Sequence, residues 1–199
     1  MKIYGDKRSG NCYKIKLLAA LLGIDHEWVP VDVLAGETRT PAFLAMNPNG
    51  KIPTLELDDG RYLAESNAIL CYLAEGSDLL PVDNYNRALV MSWLFFEQYS
   101  HEPYIATARF INKYLGLPED RKAEYAARQP GGHKALAVME QQLLQTSFLV
   151  GNTMTIADIC LYGYTHVAHE GGFDLSAYPA ITAWLQRVAD LPGYVGMED

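Results

Sequence analysis

The sequence lacks a run of about 18 apolar residues, so nothing in it reads as a helix able to span a bilayer. Its first residues, Met1-Lys2-Ile3-Tyr4-Gly5-Asp6-Lys7-Arg8-Ser9, lack the apolar core of a secretory signal. Cysteine is scarce. Cys12, Cys71 and Cys160 are odd in number and far apart, which argues against a disulfide framework and for a reducing, cytoplasmic setting. Positive charge is also short: 16 Lys and Arg face 24 Asp and Glu, a net charge of −8. A protein that grips phosphates electrostatically needs the opposite balance, so a nucleic-acid partner is not expected. No metal-ligand spacing stands out. His166, His169 and Glu170 do not follow the His-Glu-x-x-His order of a zinc helix. Repeats and low-complexity segments are absent too. What is present is an ordinary globular composition, 49% hydrophobic and 20% charged, over 199 residues.

The two parts of the chain carry different patterns. Lys2-Ile3-Tyr4 reads as a short strand. Cys12, Ile15, Leu18, Ala19 and Leu22 then recur at helical spacing, and Gly23 stops that helix. Glu27 to Val33 reads as a second strand, which Pro30 confines to a sheet edge. A strand, helix and strand this close form a parallel βαβ unit. After a short helix near Pro41–Met46 come a strand over 53–57, a turn at Asp58-Asp59-Gly60 and a strand over 61–63. A helix capped by Ser66 runs to about Glu75. Residues 77–83 form a linker. Beyond them only helices are expected: 84–115 interrupted at Pro103, 119–129 and 132–145 separated by Pro130-Gly131, 155–169 and 178–190. The expected fold is therefore an α/β domain of order βαβ-ββα over residues 1–76 and an all-α domain over 84–199.

Three short segments carry chemistry. Pro53 opens a strand although proline cannot donate to a sheet ladder. Either it is an ordinary proline at the start of a strand, or a cis bond turns the backbone of Ile52 outward to pair with an extended ligand. Glu65-Ser66 sits at a helix start. Ser66 reads as a cap, and the same N-terminus suits a carboxylate while Glu65 suits an ammonium, as in an α-amino acid. Ser9-Gly10-Asn11-Cys12 lies between the first strand and first helix, where α/β folds place ligands. A helix N-terminus there stabilises a thiolate. Helix capping and a buried thiol are the plain readings of Ser9 and Cys12.

Together, Ser9-x-x-Cys12, Asn47-Pro48-Asn49-Gly50-Lys51-Ile52-Pro53-Thr54-Leu55, Glu65-Ser66-Asn67-Ala68-Ile69 and Thr153-Met154-Thr155-Ile156-Ala157-Asp158 resemble the cytosolic glutathione S-transferases. The order and spacing match along the whole chain and are most similar to the serine-type, theta-like and related bacterial members. The resemblance implies a thioredoxin-like domain, an all-helical domain and a homodimer active in detoxification. It implies that Ser9 donates to the sulfur of glutathione, that Ile52 and Pro53 hold its cysteinyl unit, and that Glu65 and Ser66 hold its γ-glutamyl end. Lys51 and the Thr38–Arg39 region match the site of its glycyl carboxylate loosely. Thr155 and Asp158 match a helix-capping box, with Met154 and Ile159 at staple positions.

The activity so implied is addition of the glutathione thiolate to a small apolar electrophile, with glutathione as co-substrate and no metal. Alternatives stay open. Cys12 could run thiol–disulfide exchange or peroxidase chemistry. Tyr4 could activate the thiol, as in tyrosine-type members. A non-catalytic relative would bind partners through the same fold. The second-substrate pocket is expected on the helical part, from Tyr104, Ala108, Arg109, Tyr162 and His166, with Tyr99 and His101 nearby in sequence.

Overall fold

The structure, a computed structural model, describes all residues 1–199. It divides into two compact units, residues 1–75 with 192–199, and residues 76–191.

The first unit is a four-stranded mixed sheet with helices. β1 (Lys2–Gly5) leads into α1 (Gly10–Leu22), and β2 (Glu27–Pro30) returns parallel to β1. A short α2 (Pro41–Met46) precedes β3 (Thr54–Glu56), β4 (Tyr62–Ala64) and α3 (Ser66–Ala74). The strand order is β2-β1-β3-β4, with β1/β3 and β3/β4 antiparallel. β2 lies at an edge, as Pro30 requires. Ile3 of β1 pairs with Leu55 of β3, and both are completely buried with Ile15, Leu17, Leu18, Ile69 and Leu70 from the helices. Each such side chain removed from water contributes about 1.5–3 kcal/mol before entropy is charged. Gly23 ends α1 in a left-handed conformation, its N–H reaching the carbonyls of Ala19 and Ala20.

Residues 192–199, expected with the helical part, belong instead with this unit. Their carbonyls satisfy donors on α1. Val195 accepts from the Tyr13 hydroxyl at 2.8 Å, and Gly196 and Met197 accept from Lys16 Nζ at 3.0 and 3.3 Å. The strands are also shorter than their sequence patterns. Val31 and Val33 lie beyond β2, and Arg61 lies before β4.

The second unit is helical: α4 (Asn84–Phe96), α5 (Glu102–Arg109), α6 (Lys122–Leu143), α7 (Ile156–Thr165) and α8 (Pro179–Ala189). The stretch from 84 to 114 is continuous, but π-helical turns occupy Glu97–His101 and Phe110–Tyr114. The first of them lets Pro103 fall in the opening turn of α5, where its missing N–H costs nothing. The break expected at Pro130-Gly131 is absent. α6 runs through it because tertiary packing outweighs propensity. A Cβ on Gly131 would lie 2.2 Å from the Tyr104 ring, and one on Gly132 would lie 2.2 Å from the Phe173 ring. The glycines let α6 lie against these rings. Pro130 itself faces solvent.

α7 opens with the expected capping box. The Thr155 hydroxyl accepts from Ala157 N–H at 3.3 Å, and Asp158 accepts from Thr155 N–H at 2.9 Å. α8 has no cap of its own. Glu140 of α6 supplies one, its two carboxylate oxygens accepting from Ala180 and Ile181 N–H at 2.9 Å each.

Candidate active site

Ser9 is the N-cap of α1. Its backbone is extended, with φ −78° and ψ 123°, and its Oγ accepts the Cys12 N–H at 3.4 Å. A hydroxyl that accepts still holds a proton, and within the chain only the Cys12 thiol stands in its reach. Half-buried Ser9 thus places its O–H at the positive end of a 13-residue helix.

The two rivals for the thiol are disposed differently. Cys12 is fully buried, and its Sγ lies 2.8 Å from where a Cβ on Gly5 would sit, with Trp28 also close by. Burial pushes its thiol up to about 12, outweighing the bonds from Ser9 and Asp6 that favour a thiolate. A fully buried, protonated thiol is the opposite of a reactive cysteine. Tyr4 donates its phenol proton to Glu56 at 2.6 Å, which together with burial raises it to about 12. That donor is already committed.

The Ile52–Pro53 peptide bond is cis. The Ile52 backbone enters no hydrogen bond within the chain, so both its N–H and its C=O remain for a ligand. Buried Asn47 holds the loop before it. Its side-chain amide donates to the Lys51 carbonyl at 2.8 Å and to Thr54 Oγ1 at 3.3 Å. Arg39 lies against Gly50, with Nη1 2.6 Å from where a Cβ would be, and reaches the Asn49 carbonyl at 3.4 Å. Gly50 is therefore needed twice, for that approach and for its φ of +64°. Arg39 and Lys51 thus stand on adjoining turns, both exposed.

Ser66 is not the cap of α3 but its first residue. The cap position falls to Glu65, in a left-handed conformation with φ +68° that non-glycine residues seldom adopt. The cap residue makes no side-chain bond to the first turn of α3, and a helix start of that kind suits an anion. The Ser66 hydroxyl donates to Asn11 Oδ1 at 3.3 Å and accepts from Lys14 Nζ at 3.3 Å. Asn11, Lys14 and Asn47 were not expected as site-building residues. Lys14 carried a signal: it lies three residues after Asn11 and four before Leu18, on the buried face of the helix.

In the helical unit, three expected pocket residues are interior instead. Ala108 is fully buried. Arg109 is buried, and its Nε pairs with Glu170 at 2.6 Å, while Lys113 reaches the same carboxylate at 2.9 Å. The cation has found its partner within the protein. Tyr162 is buried and stacks on His166, with ring centroids 4.8 Å apart. Burial lowers His166 to about 4, and its Nδ1 donates to the Tyr162 carbonyl at 2.7 Å. Tyr104 and His166 keep part of their surface, Tyr99 is exposed, and buried His101 bonds Thr165 Oγ1 at 2.9 Å. No group of three or more His, Cys, Asp or Glu side chains is gathered as for a metal ion.

The family models for the glutathione S-transferase N-terminal and C-terminal domains match residues 8–75 and 92–192 respectively. The chain belongs to the glutathione S-transferase family. It is 63% identical to a glutathione S-transferase from Pseudomonas fluorescens Pf-5, whose crystal structure superposes with a TM-score of 0.98 over 100% of this chain and 98% of the other. A maleylacetoacetate isomerase from Pseudomonas aeruginosa is 32% identical over 96% of this chain and 90% of its own. A maleylacetoacetate isomerase from Methylobacterium extorquens, solved with malonate and glutathione bound, is 30% identical with a TM-score of 0.82 over 97% of this chain and 94% of the other. The thioredoxin-like first unit and helical second unit are those of this family, and glutathione is its co-substrate.

Proposed function

We propose that the protein is a serine-type glutathione transferase. Ser9 donates a hydrogen bond to the sulfur of bound glutathione and holds it as a thiolate, the thiol proton passing to water, and the thiolate adds to a small alkyl or aryl electrophile. The observation that carries this reading is the half-buried Ser9 hydroxyl at the N-terminus of α1, beside a buried Cys12 and a Tyr4 already bonded to Glu56. A thiol of ordinary pKa, about 8.5, is only a few per cent ionised at pH 7. A hydrogen-bond donor and a helix N-terminus both favour the charged sulfur. Serine is too weak a base to remove the proton unaided, so its role is to stabilise the anion.

The remaining contacts follow the chemistry of the tripeptide. The Ile52 backbone beside Pro53 pairs with the cysteinyl unit. Glu65 meets the ammonium, and Ser66 with the first turn of α3 meets the carboxylate of the γ-glutamyl end. Arg39 and Lys51 face the glycyl carboxylate. Within the helical unit, Tyr104 and His166 keep partly exposed surface suited to a small apolar substrate. Thr155 and Asp158 act in folding. Calorimetric titration tests the reading: glutathione is expected to bind with a micromolar-to-millimolar constant, and absence of binding at millimolar ligand overturns it.

We also propose that the protein works as a homodimer, in a reducing, cytoplasmic setting. Tyr85, Ala88, Ser92, Phe95 and Tyr99 recur at steps of three and four, and all are exposed. Tyr85 is 73% exposed, Phe95 70% and Tyr99 87%, an apolar stripe too large for a solvated surface. Sedimentation at micromolar concentration should give twice the chain mass, and Phe95→Glu should give a monomer. A wild-type monomer overturns the assignment.

A further inference from the structure

We propose that Lys14 is a positioning residue for the γ-glutamyl end of glutathione, acting through Ser66 and Asn67. The inference rests on the reading of α3 as the γ-glutamyl site and deepens it. Lys14 is completely buried on α1. Its ammonium lies 3.3 Å from Ser66 Oγ and 3.4 Å from Asn67 Oδ1, the first two residues of α3. Ser66 Oγ in turn donates to Asn11 Oδ1 in the first turn of α1. The first turns of two helices are thereby tied around one buried cation.

Burying an ammonium costs several kcal/mol in desolvation, and an apolar side chain of similar length would fill the space without that cost. The charge has a use at this place. The uncapped first turn of α3 is already the positive end of a helix. A carboxylate that takes the Ser66 hydroxyl proton in place of Asn11 Oδ1 would lie within roughly 6 Å of Lys14 Nζ, one hydrogen-bond length beyond Ser66 Oγ. In a partly buried setting that separation strengthens anion binding about tenfold to a hundredfold. The ammonium also fixes the donor set: by donating to Ser66 Oγ it takes one lone pair and orients the hydroxyl. Its bond to Asn67 holds the next side chain of the same turn. Lys14 bonds the first turn of α3, so its effect falls on affinity and on recognition of the γ-glutamyl arm rather than on the chemical step.

The test is Lys14→Met, which keeps length and removes charge. Unfolding midpoints establish that it folds. Its Kd and KM for glutathione are expected to rise at least about tenfold, with kcat at saturation within twofold and the pH profile of kcat unchanged. Cysteinylglycine, a thiol without the γ-glutamyl arm, should inhibit the wild type and the variant equally. Lys14→Arg should recover most of the affinity. A glutathione Kd within twofold of the wild type overturns the proposal, and so does equal weakening of both thiols, which would mark a general loss of packing. If Lys14→Met does not fold, half-buried Asn67 carries the test: Asn67→Ala is expected to weaken glutathione but not cysteinylglycine, and unchanged glutathione affinity overturns the proposal. A wild-type chain that fails to bind glutathione would instead sink the transferase reading itself. That outcome is separate from a wild type that binds and a Lys14→Met that binds equally.

Discussion

Ser9→Ala is expected to lower the rate of glutathione conjugation about a hundredfold, the usual effect of deleting one donor to a developing or resting anion in an active site. The pH dependence should change in the same experiment. On the proposed mechanism the wild-type sulfur is held ionised by the hydrogen bond from Ser9 and by the end of α1. Without the hydroxyl, its apparent pKa should move up by about one to two units toward the free-thiol value of about 8.5. The rate of the variant should therefore recover at high pH, where the thiol ionises unaided. Glutathione affinity should change little, because Ile52, Glu65, Ser66 and the first turn of α3 remain. The cap bond from Cys12 N–H to Ser9 Oγ is lost too, at about 1 kcal/mol, too little to unfold the chain. Ser9→Thr keeps the hydroxyl and should keep the pH profile. Stopped-flow or steady-state rates from pH 6 to 10, with thiolate absorbance near 240 nm as a roughly independent reading of ionisation, decide the matter. An unchanged pH profile in Ser9→Ala would falsify the assignment. Activity lost in Cys12→Ala, with a glutathione adduct on Cys12 in mass spectra, would transfer the role to that residue despite its burial.

Asp158→Ala should be the most damaging single change outside the ligand site. This fully buried carboxylate accepts from Leu149 N–H at 2.9 Å, Thr155 N–H at 2.9 Å, Trp184 Nε1 at 3.0 Å and the Thr155 hydroxyl at 3.2 Å. All four partners are donors. It therefore fastens the start of α7, the strand-like turn at Leu149 and the buried indole of α8 at one point. Removing it orphans three buried N–H groups, at about 1–3 kcal/mol each. The sum, about 4–6 kcal/mol, is a large part of the 5–15 kcal/mol by which domains are stable. The melting temperature should fall by roughly 10–20 °C, and the chain should be largely insoluble when expressed warm. Asp158→Asn should lose about half as much, since its amide nitrogen turns a donor toward donors. The fold raises this carboxyl from 3.8 to about 6, burial outweighing the four bonds. Its contribution is thus complete below pH 3.8 and declines as pH rises through 6, so the Asp158→Ala penalty should be larger at pH 4 than at pH 7. A loss below 1 kcal/mol in urea unfolding would show that the junction relaxes around the missing carboxylate.

Local signals fixed a good deal of this protein. The spacing of Cys12, Ile15 and Leu18, the stop at Gly23, the edge position forced by Pro30, the turn at Gly60 and the Thr155–Asp158 box are each properties of a few neighbouring residues. Backbone sterics and short-range hydrogen bonds settle them wherever the segment lies. The positions of Ser9, Ile52, Pro53, Glu65 and Ser66 were legible for the same reason, since each lies at a strand end or a helix start.

Other features depended on residues far apart in the chain. Whether α6 breaks at Pro130 was decided by the rings of Tyr104 and Phe173 against Gly131 and Gly132. Whether Arg109 faces a pocket was decided by Glu170, 61 residues away. The exposure of Cys12 was decided by the chain packed over it, which buries its sulfur and pushes its thiol up to about 12. The place of residues 192–199 was decided by donors on α1 that lie about 180 residues earlier. Lys14 belongs with these: a lysine in an apolar stripe acquires meaning only when α3 folds against α1 and brings Ser66 and Asn67 to its ammonium. By itself the sequence determined the elements, their ends and the motif positions, because those follow from local geometry. Burial, pairing and charge at the site belonged to the tertiary structure, because a group's desolvation depends on what the rest of the chain places around it.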